Sequence, residues 1–210
     1  MIRVCIADDH AVVRAGVKLL LADTTDLVLQ GEASTVQELF DLIATEQCDV
    51  LLLDISFPGR NGIEALTDLK QTASTVPVLM FSVHPEHQYA VRAFKAGAAG
   101  YLTKESAPEE LLVALRKVAQ GGYYITPAVA ERLAIEMATG ADRPPHTTLT
   151  NREYQVLLGL AAGKTVTHIA HKLALSVKTV STYRTRLLKK MRMHTNAELI
   201  YYAISQRLVP

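Results

Sequence analysis

The 210-residue sequence predicts a doubly wound α/β domain on a parallel five-stranded sheet, followed by a small all-α domain of four helices. Three observations carry this reading. Through residue 120, short apolar, β-branched runs alternate with helix-period segments in units of about 20–25 residues, the pattern of strand–helix–strand crossovers. Past residue 147 every periodic segment is helical. Charge divides in the same way. Residues 1–120 hold 10 Lys/Arg against 16 Asp/Glu (net −6), residues 121–146 hold 2 against 3, and residues 147–210 hold 10 against 2 (net +8). Such asymmetry indicates two domains with different partners, and the basic one suits a polyanion.

Strands are predicted at 3–7 (RVCIA), 27–33 (LVLQGEA), 48–54 (CDVLLLD), 76–82 (VPVLMFS) and 99–104 (AGYLTK), with helices over 11–22, 35–46, 61–71, 87–96 and 108–120. The stretches 50–53 and 78–81 are apolar throughout, as strands covered on both faces are. In the fifth helix Leu111, Leu112, Leu115 and Val118 mark one apolar face. Pro108 suits its first turn, and Glu109 and Glu110 sit near its positive end. Between 121 and 146 the alternation lapses. TPAVAERLAIEMATG reads as a short helix and GADRPPHTT as an exposed linker without apolar period. In the last part Thr150 caps a helix with Glu153 three residues on, as in a capping box, and Gly163 ends it. VTHIAHKL forms a second helix, ALS a tight turn with Ser176 as the next N-cap, and residues 177–191 a third helix. TNAELIYYAISQRL is the fourth, capped by Thr195 or Asn196. The domains are therefore read as 1–120, a connector 121–146, and 147–210.

Other features exclude whole classes. No apolar run approaches the roughly 20 residues of a membrane span, and MIRVCIADDH reads as a first strand rather than a signal peptide. Cys5 and Cys48 sit in or beside apolar runs and read as small buried thiols, not as a disulfide framework or a zinc site. His84/His87 and His168/His171 are spaced by three but joined by no acid or cysteine cluster, so they are not read as metal ligands. Tyr123-Tyr124 and Tyr201-Tyr202 read as interface or core aromatics. The expected location is the cytoplasm, with no membrane partner.

Functional residues of a parallel α/β sheet lie at the carboxyl ends of its strands. Strand 1 delivers Asp8 and Asp9 there, strand 3 Asp54 and strand 4 Ser82, while Lys104 follows strand 5. In the order 2-1-3-4-5 strands 1 and 3 are neighbours, so three carboxylates converge and need a cation. Hard oxygen ligands at close quarters suit Mg²⁺, or Mn²⁺ in its place. That points to phosphoryl chemistry with Asp54 as carboxylate nucleophile. Asp9 and Asp54 would hold the metal, and Asp8 a metal-bound water. Lys104 and the Ser82 hydroxyl would stabilise phosphoryl oxygens, with backbone amides near Ser56 and Phe57 donating to the rest.

The segments ADDH, LLLDISFPGRNGIE, FS and AGYLTK resemble the receiver domain of two-component response regulators, over about residues 1–120. The resemblance implies a flavodoxin-like fold with Asp54 as phosphoacceptor and Asp8, Asp9, Asp54 and the Ser56 carbonyl around Mg²⁺. It makes Ser82 and Tyr101 a hydroxyl–aromatic switch in which Tyr101 rotates into space vacated by Ser82. Phe57-Pro58 stands where many receivers have Met-Pro, and Glu105 where many have a proline after the strand-5 lysine.

The third helix of the last domain crowds Lys178, Arg184, Arg186, Lys189 and Lys190 against a core side of Val180, Leu187, Leu188 and Met191, with Tyr183 at the border. A helix-turn-helix places such a helix in the major groove. Ser181, Thr182 and Thr185 are short enough to approach bases, while Lys178, Thr179, Arg184 and Lys189 would bind phosphates. Leu149 to Glu153, Gly163, Ile169-Ala170 and Ser176 to Val180 resemble the LuxR-type output domain of the NarL/FixJ response regulators, over about 147–207. Tyr183 replaces a usual histidine.

Together these readings describe a DNA-binding response regulator. By resemblance, a sensor histidine kinase phosphorylates Asp54 and the protein then dimerises on double-stranded DNA, with RNA polymerase as a further partner. It is not an enzyme beyond its own phosphotransfer and dephosphorylation. Leu199 and Tyr202 on the helix 195–207 are the expected dimer contacts. Two other readings fit the residues less well. One is a Mg²⁺-dependent α/β phosphohydrolase, disfavoured because Ser56 stands where its general acid would be. The other is a nucleic-acid or protein docking module without base readout.

Overall fold

The computed structural model describes residues 1–57, 60–72, 75–138 and 144–209, the side chains of 136–138 excepted. Pro58-Gly59 of the receiver-like motif and part of the predicted linker, 139–143, therefore lie outside the described residues. The chain divides into two compact units, Met1–Leu133 and Ala134–Pro210.

In the first unit, β1 (Ile2–Ala7), β2 (Leu27–Ala33), β3 (Val50–Leu53), β4 (Val78–Ser82) and β5 (Gly100–Thr103) form one parallel sheet in the order β2-β1-β3-β4-β5. The connecting helices are α1 (Ala11–Ala22), α2 (Val36–Thr45), α3 (Gly62–Gln71), α4 (Glu86–Lys95) and α5 (Pro108–Ala119). Every residue of β3 and β4 is buried, because helices cover both faces and leave no polar-out alternation. Val4, Ile6, Val50, Leu52, Leu79 and Phe81 pack with Val17 and Leu21 of α1 and with Leu111, Leu115 and Val118 of α5. Their strand neighbours Cys5, Ala7, Leu51, Leu53 and Met80 point the other way and are equally buried. Arg3 binds Asp49 bidentately, at 2.7 and 3.0 Å, and so pins the start of β1 to the approach of β3. The arginine holds the Asp49 carboxyl down at about 2. Cys5 is buried, Cys48 half-buried, and both are free thiols.

Tyr124 continues the sheet edge by one parallel bridge to Gly100. Helix α6 (Pro127–Ala138) starts just beyond it. Thr126 Oγ1 donates to Glu86 Oε2 (2.7 Å) and Arg132 Nη1 to the His87 carbonyl (2.7 Å).

The second unit holds a 3₁₀ turn (Pro145–Thr148) and α7 (Asn151–Ala161), α8 (Val166–Lys172), α9 (Val177–Met191) and α10 (Asn196–Ser205). The predicted caps are present: Thr150 and Glu153 form a full capping box, and Ser176 and Thr195 each accept an N3 amide. Val156, Leu157, Leu160, Ile169, Val180, Leu187 and Leu199 form its core. A Cβ on Gly159 would lie 2.8 Å from the Ile169 side chain, so a larger residue there would make Ile169 shift between α7 and α8. Leu199 corrects the sequence reading. It is fully buried, and the exposed apolar residues of α10 are Tyr201 (78%) and Ile204 (52%). Tyr202 is half-buried and its hydroxyl pairs with His146 Nδ1 at 2.8 Å, so of the two residues expected at a dimer contact it is Leu199 that is withdrawn from the surface.

Candidate functional site

The carboxyl edge of the sheet builds the first site. Ala7 and Leu53 are register partners, so Asp8 and Asp54 leave neighbouring strands side by side. Main-chain bonds fix them there, Asp54 N to the Ala7 carbonyl (2.9 Å) and Asp8 N to the Ala33 carbonyl (3.0 Å). One residue past the Ser82–Thr103 pair, Lys104 N donates to the Ser82 carbonyl (2.8 Å). Its ammonium reaches back to lie 2.5 Å from Asp8 Oδ2 and 2.9 Å from Asp54 Oδ2. Both aspartates are 1% exposed.

One ammonium does not neutralise this crowd. Asp9 stands beside it with a side chain 26% exposed, and ligand atoms of Asp8, Asp9, His10 and Asp54 lie within 4.8 Å of one another. Burial pushes the Asp54 carboxyl above its ordinary value; Lys104 opposes this and Asp8 reinforces it. Asp54 Oδ1 is buried and has no hydrogen-bond partner among the described residues. Buried carboxylate oxygens with unspent acceptor capacity and surplus negative charge fit a small divalent cation with oxygen ligands.

The loop after Asp54 is held by residues the sequence reading used only as a motif match. Asn61 is fully buried and its Oδ1 accepts from Ile63 N (2.8 Å), capping α3. Gly62 N donates to the Ile55 carbonyl (2.8 Å). A Cβ on Gly62 would sit 1.9 Å from the Asp54 carbonyl oxygen, so only glycine allows α3 to start this close to the site. Ser56 bridges Asn61 across the loop, and its Oγ lies 3.3 Å from His84 Nε2. Ser82 is fully buried and its Oγ accepts from His84 N (3.2 Å). Tyr101 is 1% exposed, with its hydroxyl donating to the His84 carbonyl (2.9 Å). Burial raises its phenol, while a hydrogen bond with Ser82 acts the other way. The ring expected to rotate inward is thus already inside, tied to the segment after β4.

In the second unit α8, a tight turn and α9 form the predicted pair. The turn is closed by Leu175 N to the Ala170 carbonyl (2.9 Å), with Ala174 left-handed at φ 52°. Lys178, Ser181, Thr182, Thr185 and Lys189 are exposed along α9, and Thr179 and Arg184 half-buried. Arg184 Nε donates to Asn196 Oδ1 (2.7 Å), so this guanidinium is partly spent on α10. Lys190, read with the basic face, donates to Glu153 Oε2 at 2.6 Å. Glu153 is 2% exposed. This ion pair fixes α9 against α7 and thereby the direction of the basic face. Burial alone would raise the Glu153 carboxyl, but the bonds from Lys190 and Thr150 outweigh it and hold the group low. The unfolded chain therefore binds this proton more readily than the folded one, and the pair stabilises above the ordinary carboxyl range and fails below it. In acid titrations followed by circular dichroism, Glu153→Gln should flatten the loss of second-unit stability as pH falls through about 4. An unchanged acid limb would remove Glu153 from the account.

Residues 4–116 match the family described as response regulator receiver domain, and residues 147–203 that described as bacterial regulatory proteins, luxR family. The chain belongs to the response regulators. Response regulator UvrY of Escherichia coli K12 is 36% identical over 209 residues, covering 99% of this chain and 96% of the relative. Response regulator GacA of Pseudomonas aeruginosa is 36% identical over 210 residues, covering 100% and 98%. Among solved structures, RcsB of Salmonella enterica bound to promoter P1flhDC with the phosphomimetic BeF₃⁻ is similar, with a TM-score of 0.65, 25% identity and coverage of 97% and 98%. The response regulator ChrA of a heme-sensing two-component system has a TM-score of 0.53, 29% identity and coverage of 99% and 98%. This response regulator is thus a two-component, DNA-binding regulator of transcription of the NarL/FixJ type. No helix among the described residues is long and apolar enough to cross a membrane.

Proposed function

We propose that residues 1–120 are a phosphoacceptor domain acting through Asp54, that 121–146 connect it, and that 147–210 read DNA sequence in response. The observation that carries this is the buried Asp8–Lys104–Asp54 cluster with a free Asp54 oxygen. Asp8, Asp9, Asp54 and the Ser56 carbonyl would hold Mg²⁺ or Mn²⁺, which when bound supplies positive charge for phosphoryl oxygens. Asp54 Oδ1 forms the new bond to phosphorus as the bond to a kinase histidine nitrogen breaks. Lys104 keeps Asp54 ionised and oriented, and then meets a phosphoryl oxygen. The Ser82 hydroxyl donates to another, and its link to Tyr101 carries the change into the segment before α4. The chain performs no other catalysis.

On the output side, Lys178, Thr179, Arg184 and Lys189 meet phosphates of double-stranded DNA, and Ser181, Thr182 and Thr185 approach base edges. In the cytoplasm, a sensor histidine kinase, a homodimer formed on activation and RNA polymerase complete the partners. The test is footprinting of the full chain with Mg²⁺ and beryllofluoride over genomic fragments, followed by titration of a protected and a scrambled duplex. The protected duplex should bind about 10³-fold or more tightly. Lys178→Ala should weaken both duplexes and lower the salt slope by about one, whereas Thr182→Ala should lower their ratio. Both positions are exposed, and the Thr182 hydroxyl donates to the Lys178 carbonyl within its own helix, so the fold should persist. Equal affinity for the two duplexes would reject sequence readout.

A further inference from the structure

We propose that α6 is a strap whose docking on the segment between β4 and α4 is coupled, through His84, to the state of the acid pocket, each holding the other in place. The inference rests on the reading above that the pocket takes a phosphoryl group, and it extends the path of that change beyond Tyr101 to the start of the connector.

The β4–α4 segment is gripped from two sides. From within, Ser82 Oγ accepts from His84 N (3.2 Å), and the Tyr101 hydroxyl donates to the His84 carbonyl (2.9 Å). From without, Thr126 Oγ1 donates to Glu86 Oε2 (2.7 Å) and Arg132 Nη1 to the His87 carbonyl (2.7 Å). Between the two grips stands Pro85, the N-cap of α4, at φ −60°. A proline ring locks its own φ and restricts the residue before it, here His84. The segment is therefore stiff, and a shift of the His84 peptide is passed on to Glu86 and His87 rather than absorbed.

The outer grip is bound up with the start of α6. Thr126 precedes Pro127, a residue suited to the first helical position, and its Oγ1 also accepts from Val129 N (3.4 Å). The hydroxyl that meets Glu86 thus caps α6 as well, so losing the contact loosens the helix. Tyr124, bridged to Gly100 and bonded to Glu110, keeps the strap tethered just before that point. Val129 is 2% exposed and anchors the helix, yet the packing is incomplete. A cavity of about 320 Å³ remains, lined by Val83, Pro85, Thr103, Glu105, Val129 and Arg132 among others. Arg132 is exposed, and hydrogen bonds of this kind contribute modestly. A helix held by such contacts lies near the balance between docked and lifted. Helix α6 begins in the first unit and ends in the second, so a change in its docking reaches the connector directly.

The experiment uses the full chain with Mg²⁺, and beryllofluoride as the phosphoryl mimic. Hydrogen exchange of the amides of residues 129–133 should slow about fivefold or more when beryllofluoride is added to the wild type. Coupling between two sites is reciprocal. The double variant Thr126→Val, Arg132→Ala should therefore bind beryllofluoride more weakly by a comparable factor, read by fluorine NMR titration. Glu131→Ala, at an exposed position of the same helix, should not. Tyr101→Phe removes the hydroxyl and keeps the ring, so at saturating beryllofluoride the response of α6 should fall away. Beryllofluoride that binds the wild type without slowing α6 exchange, or that binds the double variant as tightly, would overturn the strap and leave the phosphoryl reading standing. A response undiminished in Tyr101→Phe would overturn the route through His84. No binding of beryllofluoride to the wild type would overturn the strap and the phosphoryl reading together.

Discussion

Asp54→Asn is expected to abolish covalent labelling by acetyl phosphate and Mg²⁺, leaving no phosphoprotein in intact-mass spectra under conditions that label the wild type. Asparagine matches aspartate in shape, and the position is held by main-chain bonds to Ala7 and by the surrounding core, so the fold should survive. The amide oxygen, however, is no carboxylate nucleophile. Neighbouring acids do not substitute. Asp8 Oδ1 accepts from the His10 amide and Oδ2 lies in ion-pair contact with the Lys104 ammonium, whereas Asp54 Oδ1 has no hydrogen-bond partner among the described residues. Losing one of two carboxylates that share an ammonium also leaves Lys104 wholly to Asp8. Undiminished labelling of the variant would place the acceptor elsewhere and end the phosphoryl reading of this pocket.

The pocket was legible because in a parallel sheet all strands end on one edge. An apolar run followed by an acid is then a statement about place, and Asp8, Asp54 and Lys104 met as the register of β1, β3, β4 and β5 required. Less legible were contacts made across long sequence separations. Lys190 looked like one more surface cation until its partner Glu153, 37 residues earlier, was in view. Arg184 was similarly bound by Asn196. In α10, Leu199, Ile200, Tyr201, Tyr202, Ala203 and Ile204 are consecutive apolar or aromatic residues. With no polar face, periodicity does not say which side is inside, and Leu199 was misplaced. The turn before α9 holds a left-handed residue at Ala174, a conformation usually signalled by glycine or asparagine. The inward position of Tyr101 depends on the His84 carbonyl, which no spacing rule addresses. Gly62 was visible as a motif, but its reason, a backbone oxygen 1.9 Å from any Cβ, needed coordinates.

Lys104→Ala is expected to destabilise the first unit by about 3–5 kcal/mol in the absence of divalent cation, the cost of leaving buried charge uncompensated. The side chain is 8% exposed and touches two carboxylates that are themselves out of water. Its removal leaves Asp8 and Asp54 facing each other, with Asp9 alongside and, among the described residues, no other lysine or arginine paired with their carboxylates. A bound divalent ion supplies that charge, so stability should become steeply linked to cation concentration. In thermal melts the variant should fall well below the wild type in chelator and regain much of the difference in saturating Mg²⁺, while the wild type gains less from the same addition. Lys104→Arg, which keeps the charge but not the compact ammonium, should retain most of the stability and lose phosphoryl transfer, since a planar fork does not occupy the point between Asp8 Oδ2 and Asp54 Oδ2 that one nitrogen fills. A Lys104→Ala protein as stable as the wild type in chelator would show that the two aspartates are not both charged when the pocket is free of metal. The role of the lysine would then be confined to the transferred group.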